Sequence, residues 1–201
     1  MQVIIILCFV AALLELDNVI FGQIGLGRPF VCGIIFGALI GDVGTGLQLG
    51  IFIELLFLDY TPVGGVLPPN GTVATACAVG AAAFGAPVYA AFFYGVLTGL
   101  IFRFVEMRIR LFTGKMLMGR QVEIVNYPIR TIKHFVYGSI LGQFIINFFV
   151  MFFAVYSVNL FLYYGKTLSP QLHLALHTAY MAVPWMGAFV LFRKFRVRLK
   201  A

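Results

Sequence analysis

Residues 28–70 read RPFVCGIIFGALIGDVGTGLQLGIFIELLFLDYTPVGGVLPPN, two apolar segments separated by a polar break and followed by a loop rich in glycine and proline. A helix needs about 20 apolar residues to cross the hydrocarbon core of a bilayer, and neither segment reaches that length before the break at 42–45 or the loop. Transporters place polar sites at membrane depth in interrupted helices of this kind. A carboxylate such as Glu54 is costly to desolvate there, so its presence indicates a specific role.

The composition argues against a soluble globular protein. The chain of 201 residues is 62% hydrophobic and 10% charged, whereas soluble domains have roughly 45–50% apolar and about 25% charged residues. Most of its basic residues lie in two blocks, residues 103–133 and 193–200, and each block adjoins an apolar segment. This pattern is typical of cytoplasmic loops and tails in membrane proteins, so we expect contact with the lipid bilayer and no nucleic-acid partner.

The sequence favours neither a metal site nor a cofactor. Cys8, Cys32 and Cys77 lie in apolar runs without metal or redox spacing, so we expect three buried thiols. His173 and His177 are four residues apart, but no third ligand accompanies them. The apolar start of the chain lacks the positive n-region of a signal peptide, so we expect a retained first helix.

The apolar runs predict an all-α, polytopic membrane protein with broken or re-entrant helices in its N-terminal half. Pro29 suits the first turn of a helix, and Thr45 with Gln48 fits a capping box that opens the helix after the break. A basic amphipathic helix is expected to connect the two halves at the membrane surface. The predicted helices cover residues 3–20, 29–40, 46–58, 72–102 with a kink at 85–87, the connector within 103–134, 135–164, and 172–192 with a kink at Pro184.

This organisation predicts three regions of the chain. They are a transmembrane region with broken helices at 1–102, the basic connector at 103–134, and a transmembrane hairpin with a basic tail at 135–201. The two crossings of the hairpin bring both basic blocks to one side, which is predicted to be cytoplasmic. The N-terminal half has too few basic residues to be oriented in this way.

Glycines recur every fourth residue and predict close helix contacts. Residues four apart lie on one face of a helix, and glycine on that face lets neighbouring backbones approach each other. On the second broken segment this face continues from Gly46 and Gly50 to Glu54, so Glu54 is expected to face a packed interior. The other sets with this spacing are Gly33, Gly37 and Gly41, then Gly95 and Gly99, and finally Gly138 and Gly142.

Five elements of the sequence together resemble the IIC subunit of the mannose/fructose/sorbose family of the bacterial sugar phosphotransferase system. The similarity at the level of motifs covers about residues 1–85, and beyond that only the hydropathy profile and the basic connector are similar. The elements are Asp17, Arg28-Pro29, Gly41-Asp42 with Thr45-Gly46, Gly50 with Glu54, and Gly64-Gly65 with Pro68-Pro69-Asn70.

The resemblance implies a role in sugar uptake at the bacterial inner membrane. Such a subunit pairs with a IID-like membrane subunit, and the hetero-oligomer carries a hexose-type sugar to a phosphorylated cytoplasmic IIB protein, which IIA supplies with phosphate. The IIC subunit is not phosphorylated, so we expect no catalytic residue in this chain alone. Members generally exceed 240 residues, with further apolar segments after the position where this chain ends. The sequence therefore predicts either a short working variant or a relative that kept assembly and lost transport.

Carboxylates and amides pair with sugar hydroxyls, which both donate and accept hydrogen bonds. Glu54 is the first candidate because a buried acid is the hardest to explain structurally. Asn70 is the second, at the end of the loop that could line the site. In order, the candidate substrate-binding residues are Glu54, Asn70, Asp42, Gln48, Arg28 and Asp17.

Structural roles compete with these assignments. Asp42 and Asn70 are also placed to cap the helices that follow them, and Gln48 fits the capping box. Arg28 is expected to pair with Asp42 or Asp17, or to anchor the chain at the interface. At the level of function, two alternatives stay open: a non-transporting scaffold or regulatory subunit of such a system, and an unrelated small-solute transporter.

Overall fold

The computed structural model describes residues 2–19, 24–60, 67–120, 125, 127–165 and 170–198. These residues form seven α-helices and no strand, which confirms the predicted all-α fold. The helices are α1 (Gln2–Val19), α2 (Pro29–Ile40), α3 (Val43–Phe57), α4 (Gly71–Ala83), α5 (Val88–Met118), α6 (Pro128–Gly165) and α7 (Pro170–Arg198).

Helices α2 and α3 form an antiparallel hairpin whose two backbones touch. A Cβ atom added at Gly46 would lie 2.4 Å from the carbonyl oxygen of Gly33, and one at Gly50 would lie 2.4 Å from that of Pro29. The turn at Gly41 has a left-handed backbone with φ of 82°, which glycine adopts without strain. With 12 and 15 residues, the helices are about 18 and 22 Å long, shorter than a bilayer core of about 30 Å.

Helix α4 forms the centre of the bundle. All its residues from Thr72 to Ala81 are buried, because it packs against α1, α2, α3, α5 and α6. Its small side chains allow this crowding. On the α5 side, Gly95 and Gly99 face Ala74, and a Cβ at Gly95 would lie 2.4 Å from the Ala74 carbonyl oxygen. The predicted contact face at Gly95 and Gly99 is therefore confirmed.

Within the described part of the chain, three helices have the length and apolar character to cross a membrane: α5, α6 and α7. Their outward faces carry large exposed apolar side chains such as Phe104, Phe153, Trp185 and Phe189. A hydrocarbon environment suits such faces, whereas water does not. The polytopic membrane fold is thus supported by length and composition, and insertion of the α2–α3 hairpin as a re-entrant element stays a prediction.

Several helix boundaries differ from the prediction. Helix α3 begins at Val43, because Asp42 and not Thr45 is its N-cap. The predicted kink is a true break, since α4 ends before a turn in which Gly85 has φ of 85°. The predicted basic connector is divided between two helices. Its first part continues α5 as far as Met118, and its last part belongs to α6, which begins at Pro128. Helix α7 passes through Pro184 and extends to Arg198.

Two predicted helix contacts are not made within the described residues. Gly41 forms the turn after α2, and a Cβ added there would meet nothing within 4 Å. A Cβ added at Gly138 or Gly142 of α6 would meet nothing within 4 Å. The motif glycines Gly64 and Gly65 lie outside the described residues, as do residues 166–169, which form part of the segment between the two predicted hairpin helices.

Candidate functional site

A polar cavity of about 600 Å³ lies among the helix ends at one end of the bundle. Its walls come from the end of α1, the N-termini of α2 and α4, the last turn of α3, the loop before α4 and the second half of α5. Apolar walls are supplied by side chains such as Phe57, Leu58 and Pro69. The charged and amide side chains that line it are Glu15, Arg28, Glu54, Asn70, Glu106 and Arg110.

Glu54 reaches the cavity from the last turns of α3. Its Oε2 atom accepts a hydrogen bond of 3.1 Å from the backbone N–H of Phe30, in the first turn of α2. This caps the positive end of α2, where a negative charge is favourable. The side chain is half-buried, and it lies one turn beyond Gly50, on the face that packs against α2. Glu54 therefore lies on the side that faces α2, as predicted, but it borders the cavity and is not enclosed in a packed interior.

Glu15 and Asn70 form a buried pair between α1 and α4. The Nδ2 atom of Asn70 donates to Oε1 of Glu15 at 2.5 Å, while its Oδ1 atom accepts from the backbone N–H of Val73 at 3.0 Å. Glu15 is 1% exposed and Asn70 is 6% exposed. Asn70 therefore caps α4, as the structural alternative predicted, and at the same time joins the cap to a carboxylate in the cavity wall.

Glu106 and Arg110 complete the cavity from α5. Nη2 of Arg110 lies 2.5 Å from Oε1 of Glu106, one helical turn away. Glu106 is 7% exposed, and an acid so deeply buried needs a partner. Arg110 and the exposed Arg28 place two positive charges beside the three carboxylates, so the charges within the cavity nearly balance.

Asp17 supports the cavity from outside. Its carboxylate accepts hydrogen bonds from the backbone N–H groups of Ile24, Gly25 and Leu26, at 3.3, 3.1 and 2.9 Å. The loop held in this way supplies Gly25 and Gly27 to the cavity wall. Asp17 thus positions a loop, and the described residues contain no ion pair between Arg28 and either Asp17 or Asp42.

Asp42 and Gln48 lie away from the cavity. Asp42 accepts a hydrogen bond of 3.0 Å from the Thr45 backbone N–H and is exposed. Glu54 lies twelve positions further along the chain, about 18 Å along the helix axis. Gln48 is likewise exposed on α3 and is not a lining residue. The structure does not bring these two together with Glu54 and Asn70, so their proposed role as ligands of the same sugar has no geometric support.

The structure also adds residues that the sequence interpretation missed. Glu15, Glu106 and Arg110 line the cavity, although none belongs to the motif at 28–70. Glu15 had a signal in the sequence, since it is an acid within an apolar helix. Glu106 gave no comparable signal, because it lies in the basic stretch that was interpreted as a connector. The pair His173 and His177 lies elsewhere, with Nδ1 of His173 3.2 Å from the Tyr89 hydroxyl. The described residues contain no group of three His, Cys, Asp or Glu side chains placed to hold a metal.

The fold and the cavity define a class, an all-helical polytopic membrane protein with a polar cavity among its helix ends. The sequence profile of the family described as "PTS system sorbose-specific iic component" matches residues 1–193. The chain therefore belongs to this family of membrane subunits of the sugar phosphotransferase system. The resemblance inferred from residues 17–70 is confirmed.

Two curated relatives come from Escherichia coli K12. The chain is 47% identical over 49 residues to N-acetylgalactosamine permease IIC component 1, which is 24% of this chain and 18% of that protein. It is 34% identical over 70 residues to the putative N-acetylgalactosamine permease IIC component 2, which is 35% of this chain and 50% of that protein. The aligned stretches thus span half of these relatives' length or less.

Two solved structures share the fold. One, described as a membrane protein structure, matches 97% of this chain and 80% of its own with a TM-score of 0.81 at 16% identity. The other is a cryo-EM structure of the mannose transporter ManYZ in complex with microcin E492. It matches 100% of this chain and 79% of its own with a TM-score of 0.69 at 14% identity. At these identities the comparison shows the fold of this chain and does not identify its ligand.

Proposed function

We propose that this chain binds a hexose-type sugar in the cavity and carries it across the bacterial inner membrane as the translocation subunit of a sugar phosphotransferase system. The observation that carries the proposal is the convergence of Glu15, Glu54, Glu106 and Asn70 on one cavity in a bundle whose core is mainly apolar. Carboxylate and amide oxygens accept from sugar hydroxyls, and the guanidinium of Arg28 donates to them. A volume of about 600 Å³ lies within the range of small-molecule sites.

The distribution of charge supports a cavity mouth at the cytoplasmic face. Arg110 lines the cavity on a stretch of α5 that also carries Arg103, Arg108 and Lys115, and Arg193 near the end of α7 contacts the end of α3 beside the cavity. Basic residues at one end of a helical bundle mark its cytoplasmic side. A sugar in this position is accessible to a phosphorylated IIB protein, which performs the phosphoryl transfer in this proposal.

A second membrane subunit is part of the same proposal. The name of the structural neighbour ManYZ denotes a transporter of mannose, and in the proposed assembly a IID-like subunit accompanies this chain. Helix α6 offers a long unoccupied face for such a contact. Apolar side chains including Leu141, Phe149 and Tyr156 are exposed along it, and in the described part of the chain a Cβ at Gly138 or Gly142 would meet nothing within 4 Å.

The test compares two carboxylates that both cap helices. Glu54→Gln keeps an oxygen to accept from the Phe30 N–H but removes the charge from the cavity. Asp42→Asn makes the same change at the distant hairpin turn. Affinity for N-acetylgalactosamine, mannose and sorbose is measured with the purified chain and its partner subunit, followed by phosphoenolpyruvate-dependent uptake in membrane vesicles.

We expect Glu54→Gln to insert and assemble normally and to lose about 10- to 100-fold in affinity for the bound sugar, the value of one hydrogen bond to a charged group. Asp42→Asn is expected to keep the wild-type affinity. Unchanged binding and uptake in the Glu54 variant, or an equal loss in the Asp42 variant, would contradict the placement of the sugar. Assembly without uptake of any sugar by the wild type would favour the scaffold alternative.

A further inference from the structure

The end of α3 and the turn that follows it, residues 57–60, form a thin wall between two cavities. On one side, Phe57 and Tyr60 line the polar cavity. On the other side, the same two residues line an apolar cleft of about 310 Å³, bounded by Val96 and Leu100 of α5 and by side chains of α7. Because the cleft leaves room behind the wall, packing alone does not prevent the turn from moving away from the polar cavity.

Contacts from α7 hold this wall in place. Nη2 of Arg193 lies 2.6 Å from Oδ1 and 2.8 Å from Oδ2 of Asp59. The neighbouring Lys194 donates through Nζ to the carbonyl oxygen of Leu58. A cation is favourable at this end of a helix, where carbonyl groups lack partners within the helix. The contacts of Arg193 and Lys194 therefore hold Asp59 and Leu58, the two residues between Phe57 and Tyr60.

The polar contacts between α7 and the end of α3 lie near the end of α7. Six positions before Arg193, α7 packs closely on α3, since a Cβ added at Gly187 would lie 2.7 Å from Cβ of Leu55. The apolar cleft lies beside this contact and is lined on α7 by Met186 and Val190, and Arg193 and Lys194 then make the polar contacts. The ion pair joins residues 134 positions apart.

We propose that Asp59, Arg193 and Lys194 are positioning residues for the sugar cavity, because they fix the turn of α3 that forms its wall. The inference rests on the proposed function. None of the three touches the sugar in this proposal. They act through Phe57, Tyr60 and the orientation of Glu54, which lies on the same helix one turn before the wall.

The experiment measures sugar affinity in variants of the pair, in the complex with the partner subunit. The variants are Asp59→Asn, Arg193→Gln, the conservative Arg193→Lys, and the charge-exchanged double variant Asp59→Arg with Arg193→Asp. Arg196→Gln is the matched control, because Arg196 is an exposed basic residue on the same helix. The probes are N-acetylgalactosamine, mannose and sorbose, and each Kd is measured at low and high potassium chloride.

We expect Asp59→Asn and Arg193→Gln each to raise Kd about three- to fivefold, the upper part of the range of a single solvent-accessible ion pair. Arg193→Lys and the charge-exchanged variant are expected to recover most of this loss, and Arg196→Gln to match the wild type. High salt is expected to weaken binding by the wild type and to have a smaller effect on Asp59→Asn, because screening acts on the pair.

The outcomes separate the inference from the proposed function. If the wild type binds none of the three sugars, the proposed function fails. If the wild type binds a sugar and the two single variants bind equally well, the positioning role is refuted. An equal loss in the Arg196 control, or no recovery in both Arg193→Lys and the charge-exchanged variant, would also refute it, since the loss would not arise from the pair.

Discussion

Replacing Gly46 by alanine tests one of the closest helix contacts between described residues. The added Cβ would lie 2.4 Å from the carbonyl oxygen of Gly33 and 2.5 Å from Cα of Gly37. A relaxed carbon–oxygen contact is about 3.3 Å, so the two helices must separate by roughly 1 Å. Both neighbours are backbone atoms and cannot rotate away. Overpacking of this kind costs about 1–3 kcal/mol, while the higher helix propensity of alanine returns up to about 1 kcal/mol.

We therefore expect Gly46→Ala to destabilise the chain by about 1–2 kcal/mol. The matched control is Gly142→Ala on α6, where the added Cβ meets nothing within 4 Å and only the gain in propensity applies. The assay is thermal unfolding of the detergent-solubilised chain followed by size-exclusion chromatography. A shift of about 2–4 °C per kcal/mol is expected for a chain of this size.

The same variant has a functional consequence. Separation of α2 from α3 lengthens the bond of 3.1 Å between Glu54 and the Phe30 N–H, so sugar affinity is expected to fall along with stability. The reasoning is refuted if Gly46→Ala unfolds at the wild-type temperature, or if Gly142→Ala loses as much stability as Gly46→Ala.

Three further predictions follow from other contacts. Asp17→Asn is expected to cost about 1–3 kcal/mol in thermal unfolding, because an amide cannot replace a carboxylate that accepts from the N–H groups of residues 24–26; an unchanged midpoint would contradict this. Tyr94→Phe removes the hydroxyl that joins α5 to α6 and is expected to cost about 0.5–1.5 kcal/mol, so a more stable variant in the same assay would disprove the role of this bond. A cysteine at exposed Lys115 is expected to react with an impermeant maleimide only from the cytoplasmic side, and one at exposed Gln171 only from the opposite side; the native thiols are buried, and the reverse pattern would overturn the orientation.

The local features of the fold were predictable because they depend on neighbours in sequence. Gly41 with Asp42 marked the turn of the hairpin, and glycines at intervals of four marked its inner face, where Gly33, Gly37, Gly46 and Gly50 lie in contact. Asn70 followed by a run of small residues marked the start of α4. Helix caps and faces obey short-range rules, so one segment suffices to find them.

The residues that line the cavity were harder to predict from the sequence. Glu54 and Asn70 were found as polar residues beside a break, and both line the cavity. The same reasoning also selected Asp42, which caps a helix at the far end of the hairpin. Both kinds of position look alike in the sequence, because capping and ligand binding use the same side chains. Only the direction in which each helix end points separates them.

The sequence by itself determined the membrane class, the break between two short helices, the glycine contacts and the family. The tertiary structure alone decided that Glu15 and Glu106, 91 positions apart, share one cavity with Glu54, and that Arg193 holds the wall at Asp59. The physical reason is that propensity, capping and periodicity act over one or two helical turns. The convergence of distant charges depends on how whole helices pack, and no local pattern encodes which helix ends will meet.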